Sequence, residues 1–460
     1  MNNNIVKQFN RYARENKSII RKALDSSTNV GEALIPEYLE DVITNTVVRL
    51  SPELAMIVSK YDPQKFHEFN RLTSLPAAGG AMGEGATTPT RNATYARDSV
   101  QLKIIRRKGS VTNFLQDTSQ NYIDAAAAEM ESHLLAHTFD LATYILYGNK
   151  AADSYTHDGL DFLIQTNRVN EAVGGAVPTS LSFLDDMIDE NLERQGVNHN
   201  KAFVMSARML SKISALLTNV RLNQGLTGNG LTQVDVNGGW RLNAYRDIPI
   251  IVSSACRPKA TMGTVTASSS GSGSAITDDT YYFRVSYVDY NGESLASAEV
   301  SEGPTSNVDE IELSWTAVTG ALYYKIYAGT ATGVLYLVDI ISAFTYDSNG
   351  TINGTVTTHT FTADPAADTT TVPTALQEDV PLVATGGIAP EIVFMWDLDE
   401  YQGLGKYPYT NSGGSRFNGL VTVTPLAITD DFLPFMIKTY GALCPSYEAT
   451  SMIHRGLRVA

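Results

Sequence analysis

The chain has 460 residues, 43% of them hydrophobic and 18% charged, and carries a formal net charge of −15. That length calls for two or three domains rather than one compact core, and the apolar fraction is enough to fill them. The two cysteines, Cys256 and Cys444, lie outside any CxxC or Cys/His cluster, and no apolar run is long enough to span a bilayer. A structural zinc site, a disulfide framework and a transmembrane helix are therefore excluded from the reading.

Met1-Asn2-Asn3-Asn4 opens no apolar signal core, so a soluble protein made in a cytoplasm is expected. The charged fraction is below the usual quarter. This fits a protein that covers much of itself with its own copies, and equally an ordinary β-rich protein. The charge is unevenly spread. Residues 261–385 hold fifteen acids against Arg284 and Lys325, a balance of −13, while the other 335 residues hold 34 acids and 32 bases. That asymmetry argues for two domains in different surroundings.

Residues 1–30 carry Lys7, Arg11, Arg14, Lys17, Arg21 and Lys22 against Glu15 and Asp25. They read as a solvated, frayed terminus or as a basic arm on a neighbour or a nucleic acid. From 36 to 59, Pro36 suits a first helical position, and Leu39, Val42, Ile43, Val47 and Leu50 recur at helical spacing. Residues 61–112 predict a long β-hairpin with a glycine-rich tip at Gly79-Gly80 and Gly83-Glu84-Gly85 and an alternating return stretch, Ser99 to Thr112. Its basic run, Arg106-Arg107-Lys108, reads as a solvated face or a contact surface.

The clearest helix follows. Asp117, Thr118 or Ser119 can cap it, Ile123, Ala127, Met130, Leu134, Leu141 and Ile145 share one face, and Gly148 suits a left-handed C-cap. About 28 residues make a strut of roughly 40 Å. An α/β pattern begins at 179: a helix on Leu181, Leu184, Ile188 and Leu192 with Ser182 and Asp185 as a capping pair, a strand at 202–205, a helix at 207–218 and a strand at 248–253. Gly225 to Gly230 reads as an exposed loop.

The composition changes at 257. Ser268 to Ser274 reads as a flexible linker, and 275–372 as short strands, among them 310–315, 323–327 and 335–341, of a β-sandwich with Trp315 as a core aromatic. After 387 the α/β texture returns, with strands at 392–396, 421–423 and 435–440.

No catalytic constellation emerges. His133 and His137 stand four apart, but HLLAH lacks the glutamate of a zincin helix, and both read as structural. No phosphate-binding loop or GxSxG elbow occurs. Asp185-Asp186 and Asp430-Asp431 are adjacent pairs whose side chains diverge. The expectation is no enzyme, no cofactor and no metal.

The succession GEGATTP, LKIIRRKGSVT, NFLQD, a long helix ending in ILYGN, and then His157-Asp158-Gly159-Leu160 resembles the Hong Kong 97-type major capsid proteins of tailed bacteriophages. The resemblance implies an α+β fold. It would comprise an N-terminal arm (1–30), a peripheral-domain start (31–60), an extended loop (61–112) and a peripheral domain with a spine helix (113–178). An axial domain (179–256, returning at 388–420) and a peripheral C-terminal part (421–460) would complete it. The segment 257–387 resembles an immunoglobulin-like or fibronectin type III-like sandwich inserted into that fold, with its segments in shifted order.

By this resemblance the chain assembles with itself, as hexamers and pentamers, into an icosahedral phage head enclosing double-stranded DNA. Its partners would be a separate scaffolding protein, a portal protein and packaged DNA on the inner face, with no membrane. The location would be the virion, assembled in the host bacterial cytoplasm. The candidate intersubunit contacts are Gly83, Glu84, Arg97, Arg106, Arg107 and Lys108. The insert is expected on the outer surface, as a tethered module dispensable for building the shell. The alternative function is an adhesin or carbohydrate-binding module on an α/β scaffold.

Overall fold

The fold is seen in a computed structural model, which describes residues 52–84, 86–119, 124–171, 176–195, 200–223, 232–236, 240–270, 276, 279–303, 310–362, 390–410, 420–428 and 430–459. The expected arm, the helical stretch over 36–51, Ile123, the 225–230 loop and residues 271–274 lie outside these.

Described structure opens with the single turn α1 (Glu53–Met56), followed by strand β1 (Val58–Tyr61). The helical reading therefore fails at 58–59. Here Val58 donates its N–H to the Gly405 carbonyl at 2.8 Å, and the chain is drawn into a parallel pair. β2 (Phe66–Ser74) and β3 (Thr94–Gln101) form the expected hairpin, in register from Phe66↔Gln101 to Ser74↔Thr94. The return stretch is not one strand, however. At Leu102 the side chain is buried and the N–H makes the last bond of the hairpin, to the Lys65 carbonyl 3.0 Å away. Beyond it, β4 (Lys103–Thr112) leaves the hairpin for another sheet.

Two helices follow, α2 (Asn113–Ser119) and α3 (Ala125–Tyr147). Asp124 caps α3 by accepting from the Ala127 N–H at 3.0 Å; the expected caps at 117–119 belong to α2 instead. Gly148 is extended, not left-handed (φ −55°, ψ 143°). It is needed for another reason: a Cβ there would lie 2.3 Å from the His157 carbonyl oxygen and 2.5 Å from that of Tyr144. Only the second half of α3 is enclosed. Leu141 and Ile145 are fully buried, whereas Met130 and Leu134 are exposed.

The chain continues through α4 (Leu160–Leu163), β5 (Arg168–Asn170), α5 (Ser182–Gln195), β6 (Lys201–Met205), α6 (Ala207–Asn223), β7 (Thr232–Val236), β8 (Trp240–Tyr245), β9 (Ile248–Val252) and a 3-10 turn at Ser254–Cys256. The strand β6, parallel to β9 and antiparallel to β20, is buried at every position, as an inner strand covered on both faces must be. Asp185 forms no capping pair with Ser182. Its carboxylate accepts from Tyr245 Oη at 2.8 Å and Arg246 at 3.1 Å.

The next segment supplies β10 (Val265–Ser270), β11 (Tyr281–Asp289), β12 (Gly292–Glu293), β13 (Val300–Glu302), β14 (Glu310–Trp315), β15 (Tyr323–Ala331), β16 (Val334–Ser342), β17 (Phe344–Tyr346), β18 (Ile352–Thr355) and β19 (Thr358–Phe361). A three-stranded sheet, β10-β14-β19, faces a larger one, β12-β11-β15-β16 with β13 on β11. Between them lie Phe283, Val285, Ile311, Leu313, Trp315 and Ile326; the Trp315 ring stands 5.1 Å from Tyr324. Ser268 to Ser270 are part of β10, paired with 310–312, so the serine tract does not begin as a flexible linker.

The expectation of a tethered module outside the core also needs correcting. The outer side of the larger sheet gives Val288, Tyr323, Tyr327, Leu337 and Ile340 to the same buried cluster as Ile145, Tyr147, Leu160, Phe394, Trp396 and Ile453. Strands that alternate in sequence are here buried on both faces: β15 is enclosed from Tyr323 to Gly329.

The last strands are β20 (Pro390–Asp397), β21 (Lys406–Thr410), β22 (Thr422–Pro425), β23 (Phe432–Gly441) and β24 (Met452–Arg458). They complete a seven-stranded sheet, β5-β24-β20-β6-β9-β8-β7, and a second sheet, β1-β21-β23-β22, in which β4 pairs with β23 along its full length.

Candidate functional site

The hairpin β2–β3 presents two faces with different fates. His67, Phe69 and Arg71 with Ala96, Asp98 and Val100 are half-buried. His67 Nδ1 stands 2.6 Å from Asp62, and Arg71 pairs with Asp98 at 2.5 Å. The opposite face carries Phe66, Leu72 and Tyr95, which stay 45%, 52% and 72% exposed. Leu72 and Tyr95 are cross-strand partners, so the apolar surface is continuous there. Leu75 and Met82, in the segment that joins the two strands, are exposed as well. A two-stranded hairpin is marginal alone in water, and an exposed apolar face on one marks a contact surface.

Of the candidate contacts, Gly83 and Glu84 lie in the exposed segment joining the two strands, with open space around Gly83. Arg97 is exposed on the outward face, within 3.4 Å of Glu68. Arg106 and Lys108 are exposed on β4. Arg107 points the other way. Its guanidinium grips the Asp140 carboxylate on α3 and meets Tyr290 Oη. Burial opposes its charge, and Asp140 with Tyr290 keeps it protonated. The basic run is thus split by strand alternation into two outward charges and one internal tie.

A second apolar area escaped the sequence reading. Phe114 and Leu115 on α2 are 73% and 50% exposed, and Phe432, opposite Thr112 in the β4–β23 ladder, is 44% exposed. The local signal was present in NFLQD, but a two-residue apolar step on a short helix cannot be told from a core contact by periodicity. At the hairpin root a cleft of about 600 Å³ is lined by Pro63, Lys65, Leu102, Ile104, Tyr155 and Tyr440.

The two histidines of α3 do not converge on a metal. His137 Nε2 meets Thr439 Oγ1 at 2.9 Å, and burial, aided by Arg107, pushes it down to about 4. His133 pairs with Glu129 and packs edge-on against Phe435. Among the described residues no three His, Cys, Asp or Glu side chains are grouped to hold a metal ion.

Behind the surface lies a buried charge cluster. Lys325 on β15 reaches Asp161 on α4 at 2.7 Å and Glu293 on β12 at 2.9 Å. Glu293 also accepts from Tyr327 Oη at 2.5 Å, Ser286 Oγ at 2.9 Å and Arg455 on β24 at 2.5 Å, while Arg168 on β5 pairs with Asp161 at 3.0 Å. Burial would raise both carboxyls. Lys325, Arg168 and Arg455 outweigh it, holding Asp161 well below the ordinary carboxylate range and Glu293 below its usual value. These ties join β12 and β15 to the short helix α4 and, through Arg168 and Arg455, to the seven-stranded sheet.

No protein-family model matches the sequence, and no curated protein matches it. Solved structures do resemble the chain. The capsid of a native GTA particle shares 11% identity, covering 95% of this chain and 100% of that one at a TM-score of 0.48. The holo-SrpI encapsulin complex of Synechococcus elongatus shares 10%, covering 94% and 96% at 0.45. The capsid of Myoviridae phage XM1 shares 8%, covering 92% and 97% at 0.43. At such values the likeness is one of outline, and function has to be read from this chain's own residues.

Proposed function

We propose that the chain is a structural subunit that associates with copies of itself into a closed shell, the head of a tailed bacteriophage. The observation that carries this is the hairpin's outward face, where Phe66, Leu72 and Tyr95 stand exposed on a two-stranded ribbon. Covering these three side chains in a neighbour contact would contribute about 3 kcal/mol per copy, and a lattice subunit makes several contacts. The Hong Kong 97-type resemblance of residues 83–160 points the same way. In this reading the exposed 66–101 hairpin, the outward Arg106 and Lys108, and the Phe114–Leu115 area are contacts between copies.

The finer parts of the reading are a double-stranded DNA interior, a separate scaffolding protein, a portal, and an outward immunoglobulin-like insert over 257–387. Charge supports the insert's placement: −13 over 261–385 would add repulsion against packed DNA. Its docking on α3 makes it a building part and not a displaced appendage. Negative-stain imaging and mass photometry of the purified protein test the proposal. Wild type should give closed particles, and the double variant Leu72→Asp/Tyr95→Asp should stay dispersed with an unchanged circular dichroism spectrum. Normal particles from that variant would remove the hairpin face from the assembly contacts.

A further inference from the structure

The turn α1 meets the sheet through a carboxylate with an unusual setting. Glu53 is fully buried. One of its oxygens accepts from Ser253 Oγ, and the other has no hydrogen-bond partner among the described residues. Ser253 is itself fixed at the end of β9: its N–H donates to the Met205 carbonyl at 2.9 Å, and its Oγ accepts from the Ala255 N–H at 3.1 Å. Leu54, Met56 and Ile57 pack beside it on the core formed by Ile145, Leu146 and Leu443.

Among the described residues the Glu53 carboxyl has Ser253 as its side-chain hydrogen-bond partner and no cation acting on it; the titratable groups of the neighbouring elements do not neutralise it. From the 3-10 turn comes the buried thiol of Cys256, which burial pushes well up. From α3 comes Tyr147, whose Oη donates to the Ala255 carbonyl at 2.8 Å. From β20 comes Glu391, which accepts from Ser206 and engages Arg257 and Arg208. Arg257 and Arg208 act on Glu391 and not on Glu53.

We propose that Glu53 is a proton-controlled latch: carrying its proton it holds α1 on the end of the seven-stranded sheet, and on losing it releases the turn. An ionised carboxylate there would be buried with one oxygen unsolvated, which is costly, whereas the acid form needs only the Ser253 contact. Burial pushes the group up to about 7, against the lowering effect of the Ser253 hydrogen bond. For a carboxyl raised on folding, the docked state is favoured below the unfolded value near 4.5 and weakens as pH rises through 7. The opening constant of α1 should therefore increase roughly thirtyfold between pH 5.5 and 8.5.

Hydrogen exchange on the full chain tests this without reference to assembly. The Ala55 and Val58 amides, bonded to Pro52 and Gly405, report on α1, and amides in the buried half of α3 correct for the intrinsic pH dependence of exchange. The expected result is a protection factor at Ala55 and Val58 that falls about thirtyfold over that range, together with pH-independent protection in Glu53→Gln. A flat wild-type profile overturns the proposal, as does an unchanged slope in Glu53→Gln. If that variant does not fold, the wild-type profile alone decides.

Discussion

Glu293→Gln should be among the most damaging conservative substitutions in this protein, and more damaging than Lys325→Met. The cluster holds three cations, Lys325, Arg168 and Arg455, against two carboxylates, Asp161 and Glu293, all buried. Removing the Glu293 charge leaves three buried cations facing Asp161 alone. It also weakens the acceptor shared by Lys325, Arg455, Tyr327 and Ser286. Breaking one partner out of a buried ion pair costs about 3–5 kcal/mol. Losing Lys325 instead leaves two cations against two anions, so its cost should be closer to the two lost charged hydrogen bonds, about 2–3 kcal/mol after compensation. At roughly 2–4 °C per kcal/mol for a unit of 150–250 residues, Glu293→Gln should lower the melting midpoint by on the order of 10 °C. Differential scanning fluorimetry on both variants, with the surface change Glu312→Gln as control, measures this. A Glu293→Gln midpoint within 2 °C or so of the control, or a larger loss for Lys325→Met, would refute the charge accounting.

Acid should expose the same cluster in a defined order. Asp161 and Glu293 are depressed on folding, so the stability they contribute is present above about pH 4.5 and is lost as pH falls through their lowered values; tryptophan fluorescence of wild type should hold its native spectrum to below pH 4. Replacing 261–385 by a short loop should strand Asp161, Arg168 and Arg455, and an insoluble or protease-sensitive product is expected on expression. Arg107→Met leaves Asp140 buried without its cation and should cost about 3–5 kcal/mol in urea unfolding, while Arg106→Met and Lys108→Met should stay within about 0.5 kcal/mol. Gly148→Ala forces a methyl onto two backbone carbonyls, and a loss of about 1–3 kcal/mol or more is expected from the thermal midpoint.

Strand and helix positions were legible wherever one periodicity ran undisturbed, as over 310–315 and 207–218, because side-chain burial follows backbone period directly. What escaped depends on contacts distant in the chain. Leu102 continues the alternation of 99–112, and only the ladder with β23, more than three hundred residues away, shows why the strand changes sheet there. Lys325 and Glu293 look like solvent-facing members of half-buried strands. Their partners Asp161 and Arg455 come from the other side of the segment's boundaries, so the docking of the insert had no local mark. The hairpin face was visible as a pattern, but which of its sides lacked cover was not. Arg107 shows the same limit within three residues: alternation predicts that it opposes Arg106 and Lys108, and nothing nearby names Asp140.

The break at Leu102 has a mechanical consequence. Because the ladder of β3 ends there and β4 is clamped to β23, the ribbon is cantilevered from a root held where Asp62 donates its N–H to the Tyr409 carbonyl and Lys103 enters the ladder with β23. A nine-residue strand at about 3.3 Å per residue makes an arm of roughly 30 Å, so a pivot of about 10° at the root carries its far end through about 5 Å. Small angular adjustments at one residue can thus be converted into large displacements at the tip, while the clamped sheet behind it keeps its register.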